Sequence, residues 1–140
     1  MNVNGSLIYL VYGDVVILNN YNSKSFNEFK ETIYPYWSQP GRKILSNLLK
    51  DLEFPNWCKN NQRLYFDNEQ NDYLLSQNTD INSFIEYIKT WSALNKYFEH
   101  DNVNKNIVED LKKGLELELK NQNELNIAWP VGMFMFKRKE

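Results

Sequence analysis

The sequence predicts an α/β fold, and three observations carry that prediction. Residues 126–138 read Asn-Ile-Ala-Trp-Pro-Val-Gly-Met-Phe-Met-Phe-Lys-Arg and are apolar on both faces of an extended strand. Ile127, Trp129, Val131, Met133 and Met135 fall on one face, and Ala128, Pro130, Gly132, Phe134 and Phe136 on the other. Residues 6–12, Ser-Leu-Ile-Tyr-Leu-Val-Tyr, have the same character. Strands of this kind belong inside a sheet with helices packed above and below. The third observation is a helix signal. Ile81, Phe84, Ile85, Ile88, Trp91, Leu94 and Phe98 follow the 3.6-residue period behind Asp80, an N-cap candidate. Each large side chain buried in the last strand contributes roughly 1.5–3 kcal/mol, so that strand is expected to anchor the core.

The elements follow in order. Asn4-Gly5 signals a turn ahead of the first strand, and Gly13-Asp14 ends it. Two readings fit Val15 to Leu18 beyond: a β-hairpin around Gly-Asp, or a strand stopping at Tyr12 with an apolar loop crossing the sheet's upper edge. Phe26, Phe29 and Ile33 place a helix over 25–36, with Pro35 ending or kinking it near Tyr34. Ser38 as N-cap and Pro40 in the first turn open another helix, whose stripe Ile44, Leu45, Leu48 and Leu49 ends near Leu52. Residues 53–62 read as loop, 63–66 as a short strand, and 73–75 as strand or loop. Asn104 or Asp101 caps a helix with the stripe Ile107, Val108, Leu111, Leu115 and Leu119, in which Gly114 costs about 1 kcal/mol relative to Ala. Residues 121–123 turn the chain into the last strand. Pro130 donates no ladder hydrogen bond, so a bulge or a break is expected there. No repeat or linker divides the chain, and residues 1–140 read as one domain.

Composition sets the outer bounds. The 140 residues are 42% hydrophobic and 15% aromatic, enough for a packed core, and the net charge of −2 gives no reason to expect nucleic acid or an anionic membrane. No apolar run approaches the ~20 residues of a membrane span, and Met1 to Asn4 lacks the basic and apolar regions of a signal peptide. Asn4-Gly5-Ser6 matches a glycosylation acceptor that stays unmodified without such a signal. A single cysteine, Cys58, excludes an internal disulfide and suits a reducing compartment, so the expected location is cytoplasmic.

The chemistry on offer is narrow. His100 is the only histidine, so no histidine-based metal site is expected. Cys58 and His100 share no local nucleophile signature, and Cys58 reads as a small apolar residue. No phosphate loop, dinucleotide fingerprint or nucleophile elbow occurs. Glu109, Asp110, Glu116 and Glu118 read as the solvated face of their helix. Two stretches are richer. Tyr34-Pro35-Tyr36-Trp37-Ser38-Gln39-Pro40-Gly41-Arg42 sets rings beside a guanidinium, a combination that grips a carboxylate while excluding water. Equally, Tyr36 and Trp37 could plug the core while Arg42 rides a helix surface. In Lys89-Thr90-Trp91-Ser92-Ala93, Trp91 lies on the apolar helix face, where core packing is the favoured role.

Three of these segments carry a resemblance. Pro-Tyr-Trp-Ser-Gln-Pro-Gly-Arg at 35–42, Tyr-Ile-Lys-Thr-Trp-Ser-Ala at 87–93 and Ile-Ala-Trp-Pro-Val-Gly-Met-Phe-Met-Phe at 127–136 resemble, in that order, the C-terminal half of class I S-adenosylmethionine-dependent methyltransferases. The group they resemble is the fungal trans-aconitate methyltransferase-like one, of the cantharidin-resistance type. The opening Asn-Gly-Ser-Leu-Ile-Tyr-Leu-Val-Tyr-Gly-Asp also resembles the family's Gly-Gly-x-Leu turn and fifth strand, with Ser6 replacing the second Gly. The likeness spans residues 4–139.

The resemblance implies a partial methyltransferase domain over 1–140. This would be strands five to seven of a Rossmann-like sheet with a helical cap, the first half of the sheet being absent. The family's Gly-rich loop and the acidic residue that hold S-adenosylmethionine have no match here. The chain alone is therefore not expected to bind the cofactor, and a truncated frame, split gene or misplaced start is implied. In the complete enzyme the implied reaction is O-methylation of a small acid or related metabolite. Tyr12, Trp37, Arg42 and Trp91 are the expected substrate-pocket residues, chosen on motif position and chemistry. The alternative is a non-catalytic fragment, or a subunit completing another chain's sheet through an exposed, apolar strand edge. Three geometric expectations follow. The last strand should lie antiparallel beside the first. Residues 25–52 and 79–99 should form a cap over the end of the first strand. Trp37 or Arg42 should come close to Trp91.

Overall fold

The computed structural model describes residues 5–139, so Asn4, with its turn and acceptor motif, and the terminal Glu140 lie outside the described residues. The described residues are mixed α/β and form two three-stranded sheets. It divides into two compact units: Met1–Val15, Pro40–Ser76 and Ala128–Glu140 form the first, and Val16–Gln39 with Gln77–Ile127 the second.

In the first unit, β1 (Ser6–Tyr12), β6 (Val131–Arg138) and β3 (Cys58–Phe66) form a sheet in the order β1-β6-β3. The expected pairing is present: β6 runs antiparallel to β1 with Tyr9 opposite Phe134, and antiparallel to β3 with Arg63 opposite Phe134. β3 begins at Cys58, five residues before the expected strand, and a register shift between Lys59 and Gln62 bends it, with Asn60 at φ 54°. One face of the sheet is packed. Phe134, Tyr65 and Leu48 are buried together, with Val11, Leu49 and Phe54 against them, and Tyr9 stacks on Phe134 at 5.1 Å.

The cover comes from α2 (Gly41–Ser46) and the turn after it. The helix expected to reach Leu52 stops early, because Leu48 and Leu49 enter the left-handed region at φ 54° and 57°. That conformation costs roughly 1–2 kcal/mol per residue, offset here by burial of Leu48 against the sheet. Gly132 makes the approach possible. A Cβ there would sit 3.1 Å from the Phe134 ring and 3.4 Å from the Leu48 carbonyl oxygen.

The opposite face corrects the sequence reading. Two-sided cover was expected for both long strands, yet Ile8, Leu10 and Tyr12 are 62%, 57% and 59% exposed and Leu64 is exposed beside half-buried Met133 and Met135. Apolar residues on both faces show what a strand could bury; the neighbours decide what it does bury.

In the second unit, α1 (Lys24–Ile33), α3 (Ile81–Lys89), α4 (Ser92–Phe98) and α5 (Ile107–Glu118) pack around Phe26, Phe29, Ile33, Phe84, Ile88, Leu94 and Leu115. A second sheet has the order β2-β5-β4, from Val16–Ile17, Glu124–Trp129 and Leu75–Asp80, and the boundary between the units falls within β4 and β5. Since β2 belongs to a different sheet from β1, the hairpin reading of Gly13-Asp14 is excluded and β1 ends at Tyr12. β4, at 75–80, replaces the element read at 73–75.

Pro130 breaks the last strand into β5 and β6, as the missing donor requires, and the two halves join different sheets. Asp80 caps α3 by accepting from Ser83 N at 2.7 Å, as its side chain suggested. The single helix expected over 81–98 is two, because Trp91 adopts an extended conformation (φ −68°, ψ 127°) and Thr90 Oγ1 donates to the Tyr87 carbonyl at 2.6 Å. Residues 25–39 and 79–99 of the expected cap lie in the second unit, whereas 40–52 belong to the first.

Gly114 has a packing reason: a Cβ there would collide with the side chain of Ser25, so α5 and α1 approach closely at this point. Glu118 corrects the reading of a purely solvated face. Its carboxylate accepts from Ser23 Oγ, Asn20 Nδ2 and Ser25 N, each at 3.4 Å, at the start of α1.

Candidate functional site

Two groups of side chains contain the four residues singled out in the sequence. The first lies where β1 ends. Gly13 follows Tyr12 and donates its N–H to the Pro130 carbonyl at 2.8 Å. A Cβ on Gly13 would lie 3.2 Å from both Leu48 and Pro130, so only a minimal side chain fits this crossing. Asp14 comes next, and each of its carboxylate oxygens has a partner. One oxygen pairs with Arg42 Nη2, and the other accepts from Ser46 Oγ at 2.8 Å. Arg42 and Ser46 sit one turn apart on α2, so the helix presents both to a single carboxylate. Tyr12 stands exposed on the open sheet face, opposite Val131.

The second group is aromatic and lies in the second unit. Trp37 follows a short 3-10 turn, Tyr34–Tyr36, that carries Pro35, and its ring centre is 5.7 Å from that of Trp91. Tyr87 meets Trp91 edge-on at 5.7 Å, and Phe29 and Phe26 approach at 6.3 and 6.4 Å. Trp91 is 9% exposed, while Trp37 is half-buried. Ring packing of this kind contributes about 0.5–1.5 kcal/mol per pair beyond area burial. Trp37 and Trp91 are thus brought together. Tyr12 and Arg42 lie in the first unit, Trp37 and Trp91 in the second, and the Pro35–Arg42 motif crosses the boundary between Gln39 and Pro40.

The sequence reading missed Asp14 and Ser46 as partners of Arg42. Asp14 lies 28 residues from Arg42 and Ser46 lies 32 from Asp14, and no local pattern links them. It also missed a cavity of about 310 Å³ in the second unit, lined in part by Ser25, Glu28, Thr32, Tyr97, Asn104 and Asp110. There the Tyr97 hydroxyl accepts from Asn104 N at 2.9 Å, and Asn104 Nδ2 donates to Asp110 at 2.8 Å. Among the described residues, no group of three or more His, Cys, Asp or Glu side chains is placed to hold a metal ion, and no helix is long and apolar enough to cross a membrane.

No protein-family model matches the chain. Among solved structures the fold is similar to that of a "Putative Type II Methyltransferase" from Anaeromyxobacter dehalogenans, with a TM-score of 0.67 at 14% sequence identity. The match covers 95% of this chain and 52% of that one, so this chain spans about half the length of the protein it resembles. At such identity the likeness is one of fold: the chain has a methyltransferase-type fold.

A methyltransferase of this type uses S-adenosylmethionine, and the residues at the end of β1 do not fit it. Its ribose is held by a carboxylate, whereas that of Asp14 is charge-paired with Arg42 and also accepts from Ser46. No glycine among the described residues has the left-handed backbone that Gly-rich loops exploit.

Proposed function

We propose that this chain is the substrate-side half of an S-adenosylmethionine-dependent methyltransferase of the fungal trans-aconitate type. It acts in the cytoplasm on a small acid or related metabolite, within a Rossmann-like sheet whose cofactor-binding half is additional to residues 1–140. The observation that carries this reading is the fold likeness over 95% of the chain to about half of a methyltransferase-type protein. The segments 35–42, 87–93 and 127–136 support the choice of group.

In the complete enzyme a methyl group passes from sulfonium to a substrate oxygen. A carboxylate is nucleophilic at neutral pH without a base, so this half contributes orientation and exclusion of water. Trp37 and Trp91 supply apolar rings, and Tyr12 a hydroxyl on an exposed position. Arg42 carries the positive charge for an acidic substrate, shared with Asp14.

Two measurements test the reading. Titration calorimetry of the 140-residue chain with S-adenosylmethionine is expected to show no saturable binding. Charge-assisted hydrogen bonds contribute roughly 1.5–3 kcal/mol each, and their loss weakens affinity by orders of magnitude. One-to-one binding at micromolar cofactor would overturn the division into halves. The second measurement starts from the genomic sequence immediately upstream, which should encode a strand, a Gly-rich loop and a helix. Joined to this chain, that product should transfer labelled methyl groups to small polycarboxylic acids. An upstream region without that loop removes the methyltransferase reading.

A further inference from the structure

The cavity in the second unit has a lining of two kinds. α1 and α5 meet closely at Ser25 and Gly114, where a Cβ on the glycine would collide with the serine. The same two helices, with Tyr97 of α4 and Asn104 of the loop after it, line the space of about 310 Å³. That volume is at the lower end of the range in which proteins hold small molecules. All of these residues belong to the second unit.

The floor is apolar and fixed: Phe29, Leu111, Tyr97 and Ile107 are 2%, 2%, 4% and 8% exposed. The walls offer acceptors. Glu28 of α1 and Asp110 of α5 bring one carboxylate from each helix. The donors around them are spent on the protein. Thr32 Oγ1 donates to the Glu28 carbonyl at 2.8 Å, and Asn104 Nδ2 donates to the Asp110 carboxylate at 2.8 Å. No cationic side chain lines the cavity among the described residues. Lys105, in the adjoining loop, donates to the Phe98 and His100 carbonyls at 2.9 Å each. Glu28 meets Lys24 at 3.8 Å with both side chains largely exposed, a pair that holds its carboxylate weakly. Asp110 has no ion pair among the described residues.

We propose that this cavity binds a linear aliphatic diamine. One ammonium pairs with Glu28 and the other with Asp110, while the methylene chain lies over Phe29, Ile107 and Leu111. An ammonium carries three donors and no acceptor, the complement of walls that present acceptors. Its hydrocarbon stem covers apolar surface and leaves the charged ends at the polar rim. A neutral ligand of the same length would leave both carboxylates without a counter-charge, and an anion would be repelled by them. This inference does not rest on the methyltransferase reading, since Tyr12, Trp37, Arg42 and Trp91 are not among the residues lining the cavity.

Titration calorimetry of the 140-residue chain with cadaverine tests it. The expected result is saturable one-to-one binding. Pentylamine, with one ammonium, should bind about tenfold more weakly, and the corresponding diol should not bind. Glu28→Gln and Asp110→Asn should each weaken cadaverine about tenfold. Glu31→Gln removes the same charge from the same helix outside the cavity and should leave affinity unchanged. Circular dichroism checks each fold. Glu28 is 64% exposed at the side chain, so Glu28→Gln carries the test should Asp110→Asn prove unfolded. No saturable binding of cadaverine to the wild type overturns the proposal. So does equal binding of the diol, retained affinity in Glu28→Gln, or an equal loss in Glu31→Gln, which would reduce the effect to diffuse charge attraction.

Discussion

The carboxylate of Asp14 holds the guanidinium of Arg42 and, through its other oxygen, the hydroxyl of Ser46 at 2.8 Å. One side chain thereby fastens the end of β1 to α2. The site is half shielded, with Arg42 19% and Asp14 37% exposed at the side chain, so the pair lies between surface and buried behaviour.

Asp14→Ala and Arg42→Ala are each expected to destabilise the chain by about 1–2 kcal/mol, with a coupling of about 1 kcal/mol in the double variant. Arg42→Lys should recover only part of the loss, because an ammonium lacks the planar fork. Urea unfolding of the four variants beside the wild type measures this. Strictly additive losses would show that the two groups do not support each other.

The tryptophans differ in burial, and their substitutions should differ accordingly. Trp91→Ala removes a ring packed against Phe26, Phe29 and Tyr87 and is expected to cost about 3–5 kcal/mol. Trp37→Ala, at a half-buried position, should cost less than half as much. Thermal unfolding followed by tryptophan fluorescence distinguishes the two. Equal losses would make Trp37 a core residue and take it out of the proposed pocket.

Glu118 gives stability a pH dependence. Burial alone would raise its pKa, but hydrogen bonds from Ser25, Ser23 and Asn20 outweigh that and hold it below the ordinary value of 4.5. A carboxylate with a depressed folded pKa stabilises the fold above its unfolded pKa, and the contribution fades as pH falls through the folded value. Glu118→Gln should therefore be less stable than wild type at neutral pH, and the gap should close as pH drops below 4.5. Glu118 is only half-buried, so the gap is small and shrinks in high salt. Melting temperatures of both proteins across pH 3 to 7, about the range over which glutamates titrate, provide the check. A gap independent of pH would assign the effect to shape rather than charge.

The features legible in the sequence are those decided within a few residues. Asp80 caps α3 because its carboxylate reaches an N–H three residues on, and Pro130 ends β5 because it has no N–H to give. The pairing of β1 with β6 was also foreseeable, since both stretches are apolar on both faces and each resembles a neighbouring strand of the methyltransferase sheet. The division of residues 81–98 into α3 and α4 escaped the periodicity, because the Thr90 hydroxyl and the packing of Trp91 redirect the backbone without disturbing the apolar stripe.

By itself, then, the sequence determined a few element bounds, such as the cap of α3 at Asp80 and the break at Pro130, and which faces could be buried, because capping, ring closure and side-chain alternation act over one turn or one strand. Only the tertiary structure decided which of those faces is buried. β6 is enclosed between two strands and covered by Leu48 on one side, whereas β1, equally apolar, has one paired neighbour among the described residues and an exposed face. It likewise decided that Arg42 meets Asp14 across 28 residues, and that Trp37 and Trp91 share one unit while Tyr12 and Arg42 share the other. Burial and ion pairing depend on what arrives from elsewhere in the chain, and no local pattern encodes that arrival.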